Sequence, residues 1–551
     1  MPPVRRAPNL AGLNPQQRAG VLATTGPVLL LAGAGTGKTR VVTHRIAHLI
    51  ATGVEAKHIL AVTFTNKAAR EMRERVAELL GRQDAEAVTI GTFHSFCLRI
   101  LRRHIPLLGY SASFSIAGEG YQKGLIRTVM AELGLVGDGR DPGLWLALIS
   151  KAKAAMHEPA DVAEYAYVFA GELAEVYETY QRRLRQMDQV DFDNLLGLVH
   201  RLWREHPELL AKHREQYQYL MVDEYQDTNS VQFQLVATLA GERANLCVVG
   251  DDDQSIYGWR GADVGNILAF EQHFPGARVI RLERNYRSTT TILNAANAVI
   301  ARNPERHAKR LWSDEDEGRK VLIVRTPDER EEARLVSDYL RERHLRYQLP
   351  WSDCAVLVRS NHQTRPFEEA FRAARVPYTL IGTSGFYQRK EILDAVSLLN
   401  VLSNPRDDMS LLRVLNVPPR GVGPAVLERL RHAAGILHRP MGELLVSEAI
   451  AGAVPAATAE ALRQFDGCCA RHRQALRQGG ALADGIEAFL RDIGYLDGLG
   501  RMYKPREDAL RRQENVFEFI QSAREFAARS PGATLWAFLE SFALLDANDK
   551  E

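Results

Sequence analysis

A five-residue apolar run, Val28 to Ala32, breaks into Gly33-Ala34-Gly35-Thr36-Gly37-Lys38-Thr39, and helical periodicity follows at once. This order of strand, glycine loop and helix limits the fold more than any other part of the sequence. Glycines allow backbone N–H groups to close around phosphate oxygens at a helix N-terminus, where the dipole favours an anion. In such a loop Lys38 reaches the β- and γ-phosphates and the Thr39 hydroxyl ligates Mg²⁺. The strict pattern asks for glycine where Ala32 stands, but Gly33, Gly35 and Gly37 supply the backbone freedom. A strand feeding a helix through such a turn is one half of a βαβ unit, which implies a parallel, doubly wound sheet.

Further apolar runs fit that sheet. Ile59 to Thr63, Val88 to Ile90, Tyr219 to Val222 and Leu246 to Val249 read as buried strands, each ending at or near Gly, Thr or Asp. Tyr219 to Val222 delivers Asp223 and Glu224 to its C-terminal end, where ligands bind in open α/β sheets. Asp223 is expected to hold Mg²⁺ and Glu224 to accept a proton from the attacking water. After Leu246 to Val249 comes Gly250-Asp251-Asp252-Asp253-Gln254, where Gln254 is positioned to orient water or touch the γ-phosphate.

The remaining length organises itself around these elements. From about Tyr121 to Asp188 strand signals give way to amphipathic helices, as a helical insertion would. A second α/β stretch has expected strands at Val321 to Val324, Cys354 to Val358 and Tyr378 to Ile381. Three strands make a thin sheet with little to bury. After Arg389 the pattern is helical to the end. A chain of 551 residues is too long for one core, and a net charge of +2 does not by itself announce a nucleic-acid binder. The five cysteines have neither zinc nor disulfide-framework spacing, and Met1 to Leu10 is no signal peptide, so a cytoplasmic protein is expected. No apolar run is long enough to span a bilayer.

Six segments stand in a recognisable order: Leu13-Asn14-Pro15-Gln16-Gln17 ahead of the loop, Thr63-Phe64-Thr65-Asn66-Lys67-Ala68-Ala69, Gly91-Thr92-Phe93-His94-Ser95, Val222-Asp223-Glu224-Tyr225-Gln226-Asp227, Gly250 through Gln254 to Ala262, and Leu282-Glu283-Arg284-Asn285-Tyr286-Arg287-Ser288. Together they closely resemble the UvrD/Rep/PcrA family of superfamily 1 DNA helicases. The resemblance implies RecA-like P-loop motor domains with parallel sheets and large helical insertions, and a 3′-to-5′ single-stranded DNA translocase that unwinds duplexes in repair or replication. It divides the chain into 1–114 and 191–284 as motor domain 1A, 115–190 as insertion 1B, 285–384 as the first part of motor domain 2A, and 385–551 as insertion 2B. It also implies that Gln17 recognises the adenine edge, that Arg40 lies close to the nucleotide, that Tyr286 stacks on the base, and that Arg287 reaches the γ-phosphate. ATP and Mg²⁺ are the implied cofactors, bound by Gly33 through Arg40, Gln17, Tyr286 and Asp223.

Single-stranded DNA and single-strand/duplex junctions are the implied partners. Binding without sequence preference needs aromatic platforms and backbone contacts. Trp259, Phe64, Tyr257 and Phe192 are the expected stacking residues. Asn66 and Arg260 stand beside them, Thr92 and His94 contact phosphate or sugar, and Arg359 and Asn361 grip the strand from the second motor domain. Gly382 to Tyr387 and Arg420-Gly421-Val422-Gly423 look like family elements around 2B; the latter either approaches duplex phosphate through its backbone or is a helix-capping turn. The family continues with a motif resembling His-x-x-Lys-Gly-Leu-Glu and another ending Thr-Arg-Ala, and neither occurs here. An incomplete second motor domain and impaired turnover are therefore expected. The alternatives are an ATP- and DNA-binding module without productive hydrolysis and, ranked last, a helicase subunit of a nuclease complex.

Overall fold

The computed structural model describes residues 8–112, 114–135, 141–163, 169–381, 389–437, 439–479, 481–530 and 532–548. Among the described residues there are eight strands: β1 (Val28–Ala32), β2 (Ile59–Thr63), β3 (Thr89–Thr92), β4 (Ser115–Ile116), β5 (Gln189–Val190), β6 (Tyr219–Val222), β7 (Leu246–Gly250) and β8 (Arg278–Leu282). Six of them form one parallel sheet in the order β3-β2-β6-β7-β1-β8. The central strands are buried on both faces, which is why they read as continuous apolar runs and not as alternating ones. Leu29, Leu31, Leu60, Val62, Leu220 and Val248 pack beneath Phe96, Leu101, Leu195 and Val199 on one side. Val28, Leu30, Ile59, Ala61, Met221 and Val249 pack beneath Val41, Ile46, Met72 and Val76 on the other. Burial of each such side chain contributes roughly 1.5–3 kcal/mol, so the sheet is the rigid part to which the loops are attached.

All five strands expected in the first unit form, with β3 and β7 shifted by one or two residues. The sixth, β8, escaped the sequence reading. It is an edge strand whose Arg278 and Arg281 are exposed while Leu282 alone is fully buried, so it lacks an apolar run.

The helical insertion is anchored where it leaves and re-enters the sheet domain. β4 and β5 pair in parallel, Ser115 opposite Gln189 and Ile116 opposite Val190. Between them, helices Glu119–Glu132, Pro142–Ala154 and Ala170–Gln186 enclose Ile126, Val129, Trp145, Leu173, Tyr177 and Tyr180. Lys153, on the second of these helices, places Nζ 2.5 Å from Asp191 Oδ2, and the Tyr180 hydroxyl donates to the same oxygen at 2.9 Å. The other Asp191 oxygen accepts from the Asn194 amide at 2.8 Å and so caps helix Phe192–Glu205. One buried carboxylate thereby joins the insertion to the helix that carries Phe192.

The second α/β stretch departs from expectation. Helices Glu329–Tyr347 and Thr364–Ala374 form, but 321–324, 354–358 and 378–381 are not strands. Leu322, Ile323, Leu357 and Ile381 are 72%, 85%, 90% and 83% exposed. A strand needs a ladder partner and a face to bury, and these segments have neither among the described residues. The helical expectation after Arg389 holds. Helices Lys390–Ser403, Ala456–Arg477, Leu482–Asp492 and Arg506–Arg529 surround Leu398, Leu399, Leu462, Phe489 and Phe519. This array rests on the first unit: Asn404 Nδ2 donates to Ser115 Oγ at 3.0 Å, and Arg102 pairs with Glu540 while its guanidinium lies over Phe114 and Trp536. No helix among the described residues is long and apolar enough to cross a membrane.

Removing one partner of a buried ion pair strands the other charge, at about 3–5 kcal/mol. Lys153→Met is therefore expected to lower the denaturation midpoint and speed amide exchange across helices 119–186. Unchanged exchange there would show that the Asp191 junction holds nothing.

Candidate functional site

The C-terminal ends of β1, β7 and β6 lie side by side in the sheet order, so the loops that follow them share one crevice. After β1 the glycine loop turns with φ of +69° at Gly35 and +86° at Gly37, the left-handed region that a side chain disfavours. A Cβ at Gly35 would also stand 2.6 Å from Asn285 Nδ2, so the position is closed to other residues for two reasons.

Thr36 and residues flanking the loop hold its carbonyl oxygens. Thr36 Oγ1 donates to Gly33 O at 2.7 Å, Asn285 Nδ2 to Ala34 O at 2.6 Å, the Tyr286 amide to Gly35 O at 2.9 Å, and Gln17 Nε2 to Thr36 O at 2.9 Å. With its acceptors satisfied in this way, such a loop can offer its remaining amides to an anion. Gln17 is held at its other end by the capping box of helix Pro15–Leu22, where Oε1 accepts from the Asn14 amide at 3.1 Å. Asn14 Nδ2 in turn donates to the Tyr286 hydroxyl at 2.9 Å. The structure thus brings Gln17, Gly33 to Lys38, Tyr286 and Arg287 to one place. Thr39 lies in the first turn of helix Lys38–Ala51, and the Arg40 guanidinium lies over Gly12.

Across the crevice, Lys38 Nζ sits 2.7 Å from Glu224 Oε2. Glu224 has φ of +51°, a strained conformation for a residue with a Cβ, and its amide donates to Asp223 Oδ1 at 3.1 Å. Gln226 Nε2 donates to the same Glu224 oxygen at 3.0 Å, while Gln226 Oε1 accepts from the Asp251 amide at 2.9 Å. This glutamine ties the loops after β6 and β7 together. Burial and the neighbouring Glu224 charge push the Asp223 carboxyl up to about 6, with Lys38 opposing the shift. A buried carboxylate under that strain, with the Thr39 hydroxyl at the start of the facing helix, is a donor set suited to a hard divalent cation.

The loop after β7 is fixed by charge. Gln254 Nε2 donates to Asp251 Oδ2 at 2.5 Å. Lys309 Nζ lies 3.0, 2.5 and 2.8 Å from Asp251, Asp252 and Asp253, and Arg306 grips Asp253 with two bonds of 2.8 and 2.7 Å. Burial alone would lower the Lys309 pKa; hydrogen bonds with Asp252 and Asp253 more than offset it, and the net shift is upward. Three residues beyond Gln254 the loop turns toward the other half of the sheet. Tyr257 stacks on Phe64, which follows β2, with ring centroids 5.2 Å apart, and Trp259 lies 6.5 Å from Tyr257 with 74% of its surface exposed.

The other expected residues divide. Asn66 opens helix Asn66–Leu80 close behind Phe64. His94 meets Phe192 edge-on at 5.7 Å, and burial pushes its imidazole down to about 4, so it is neutral near pH 7. Thr92 is 2% exposed, and its hydroxyl accepts from the Ser95 amide to cap helix Phe93–His104. Arg260 closes the short turn Gly258–Arg260, and its side chain lies outside the described residues. Arg359 and Asn361 lie in an exposed turn of the second unit, where Gln363 accepts the amides of Arg359 and Ser360. Gly382 to Tyr387 lies outside the described residues. Arg420 is turned inward: Nη1 bonds the Val417 carbonyl at 2.8 Å and Nη2 the Ile493 carbonyl at 2.9 Å, so its side chain secures a turn.

Sequence reasoning missed Asn285, Gln226 and the Lys309–Arg306 pair as site residues. The first two stood inside motifs already singled out. Lys309 gave no local signal, because its partners lie more than fifty positions away in sequence.

Comparison with known proteins accords with this geometry. Residues 13–275 match the UvrD/REP helicase N-terminal domain, and residues 280–439 match the UvrD-like helicase C-terminal domain. The chain is 42% identical over 542 residues to the ATP-dependent DNA helicase PcrA of Bacillus subtilis, covering 97% of this chain and 72% of that protein. The PcrA of Leuconostoc citreum is 41% identical over 520 residues, 94% of this chain and 69% of its own length. That of Staphylococcus aureus is 41% identical over 525 residues, 94% and 70% of the two chains. Two domain matches in tandem and this level of identity, on a sheet whose loops carry the six segments in order, make the chain a member of the UvrD/Rep/PcrA family of superfamily 1 DNA helicases.

Proposed function

We propose that this chain is an ATP-dependent 3′-to-5′ single-stranded DNA translocase and helicase of DNA repair or replication, acting at single-strand/duplex junctions in the cytoplasm. The observation that carries the reading is the pairing of Lys38 with Glu224 beside a loop that runs, within a few residues, from Gln254 to an exposed aromatic platform. Polarity and pathway rest on family membership.

In this reading the loop amides, Lys38 and Arg40 bind the triphosphate, and Gln17 and Tyr286 meet the base. Thr39 and Asp223 would hold Mg²⁺, which would supply charge neutralisation at the phosphates. Glu224, released from Lys38 as the phosphates take over that ammonium, is the base for the attacking water. Gln254 and Arg287 face the γ-phosphate. Phe64, Tyr257, Trp259 and Phe192 stack nucleobases, with Asn66, Thr92, His94 and Arg260 at the backbone and Arg359 and Asn361 on the far side. Residues 1–114 and 191–284 act as motor 1A, 115–190 as 1B, 285–384 as the first part of 2A and 385–551 as 2B.

One observation favours slow turnover by this polypeptide: the second unit, which would press Arg287 onto the nucleotide, exposes apolar segments at 321–324 and 354–358 without forming a sheet. ATP binding without brisk hydrolysis is the second reading. A steady-state assay with single-stranded DNA separates them, since a rate like that of the relatives would remove the second.

Glu224→Gln is expected to keep nucleotide affinity within about threefold and to slow DNA-stimulated hydrolysis by about a hundredfold or more, the usual range for a lost general base; unchanged hydrolysis would reject Glu224 as the base. Trp259→Ala should cost roughly 1–3 kcal/mol of single-strand binding, about 5- to 150-fold in affinity, by fluorescence titration. Because His94 is neutral well below pH 7, affinity at fixed ionic strength between about pH 5.5 and 8 should contain no protonation step that His94→Gln abolishes.

A further inference from the structure

Three consecutive carboxylates, Asp251, Asp252 and Asp253, converge on one ammonium. The Lys309 side chain is only 2% exposed, and those of Asp252 and Asp251 are 0% and 4% exposed. The His307 amide donates to Asp252 Oδ2 at 2.8 Å, and Arg306 Nη2 reaches back to the Lys309 carbonyl at 3.2 Å. Buried like charges this close hold together only through the cations between them. The segment carrying those cations is itself fixed: Asn297, on helix Thr290–Ile300, bonds both the carbonyl and the amide of Leu311 at 2.8 and 3.2 Å. Leu311 lies against the glycine loop, where a Cβ on Gly33 would stand 2.3 Å from its Cδ2.

Asp251 is the link to chemistry. Its Oδ1 receives Lys309, and its Oδ2 receives Gln254 Nε2. With the amide nitrogen committed to a carboxylate, Gln254 Oε1 is left to accept from water, and rotation of the amide would set two acceptors against each other. We propose that Lys309 is a positioning residue for γ-phosphate recognition, holding Asp251 so that Asp251 holds Gln254. The inference rests on the nucleotide-site reading above and extends it. Lys309 belongs to the stretch matched by the helicase C-terminal domain, whereas Asp251 to Gln254 belong to the N-terminal match. The joint therefore passes the state of one half of the motor to the phosphate-facing side chain of the other.

The test compares binding of ADP with that of the non-hydrolysable β,γ-imido analogue of ATP, by equilibrium titration of the full 551-residue chain, and so needs no turnover. Lys309→Met should leave ADP affinity within about twofold and reduce the preference for the triphosphate about tenfold, the size of a lost hydrogen bond to a charged group. Adding Gln254→Ala to Lys309→Met should cause little further loss, because both changes remove the same contact. Lys309→Gln, which loses the charge but keeps a polar end one atom shorter, should repeat the selective loss and serves if the methionine variant fails to fold. An unaltered triphosphate preference in either folded variant, or additive losses with Gln254→Ala, would overturn the proposal. Lys38→Ala controls the underlying reading: it should weaken both nucleotides, and if it weakened neither, the nucleotide site itself would be misassigned.

Discussion

The arrangement depends on where the glycine loop's carbonyl oxygens point. A loop that receives phosphate must offer several N–H groups at once, and it can do so only if its acceptors are satisfied elsewhere. Four carbonyls, Gly33 to Thr36, are satisfied by Thr36 itself, Asn285, Tyr286 and Gln17. Two of these partners follow β8 and one precedes β1, so the loop takes its shape only when both flanks are in place. This gives Asn14, Gln17 and Asn285 a structural duty in addition to any contact with nucleotide.

The same crevice holds a second device. β6 lies between β2 and β7, yet the loop after β7 crosses over it so that Tyr257 stacks on Phe64. Gln226 fastens the two loops it crosses by bonding Glu224 on one side and the Asp251 amide on the other. Glu224, Gln254 and the Phe64–Tyr257 stack are therefore neighbours along one glutamine tie and a few residues of chain.

How much of this was legible in the sequence follows from its physics. Central parallel strands declare themselves because both faces are buried, and Val28 to Ala32 and Ile59 to Thr63 were bounded to the residue. The glycine loop and the Asp223-Glu224 pair were legible because their chemistry demands residues contiguous in sequence. β8 was not, since an edge strand with two exposed arginines carries no such signature. The expected strands of the second unit have apolar composition without the pairing that would turn composition into structure. Lys309 was invisible because three carboxylates converge on it only after the chain has folded.

The two-residue ladder between β4 and β5 has a consequence for how such chains acquire new parts. Because Ser115 lies opposite Gln189 in that ladder, with its amide bonded to the Asp188 carbonyl, the insertion leaves and rejoins the parent domain at almost the same point. For the parent, everything between them is equivalent to a short turn, and lengthening it adds loop-closure cost only logarithmically. A doorway of this kind admits a bigger, smaller or altogether different module without asking the sheet to change, which makes it the natural place for a lineage of motors to diversify.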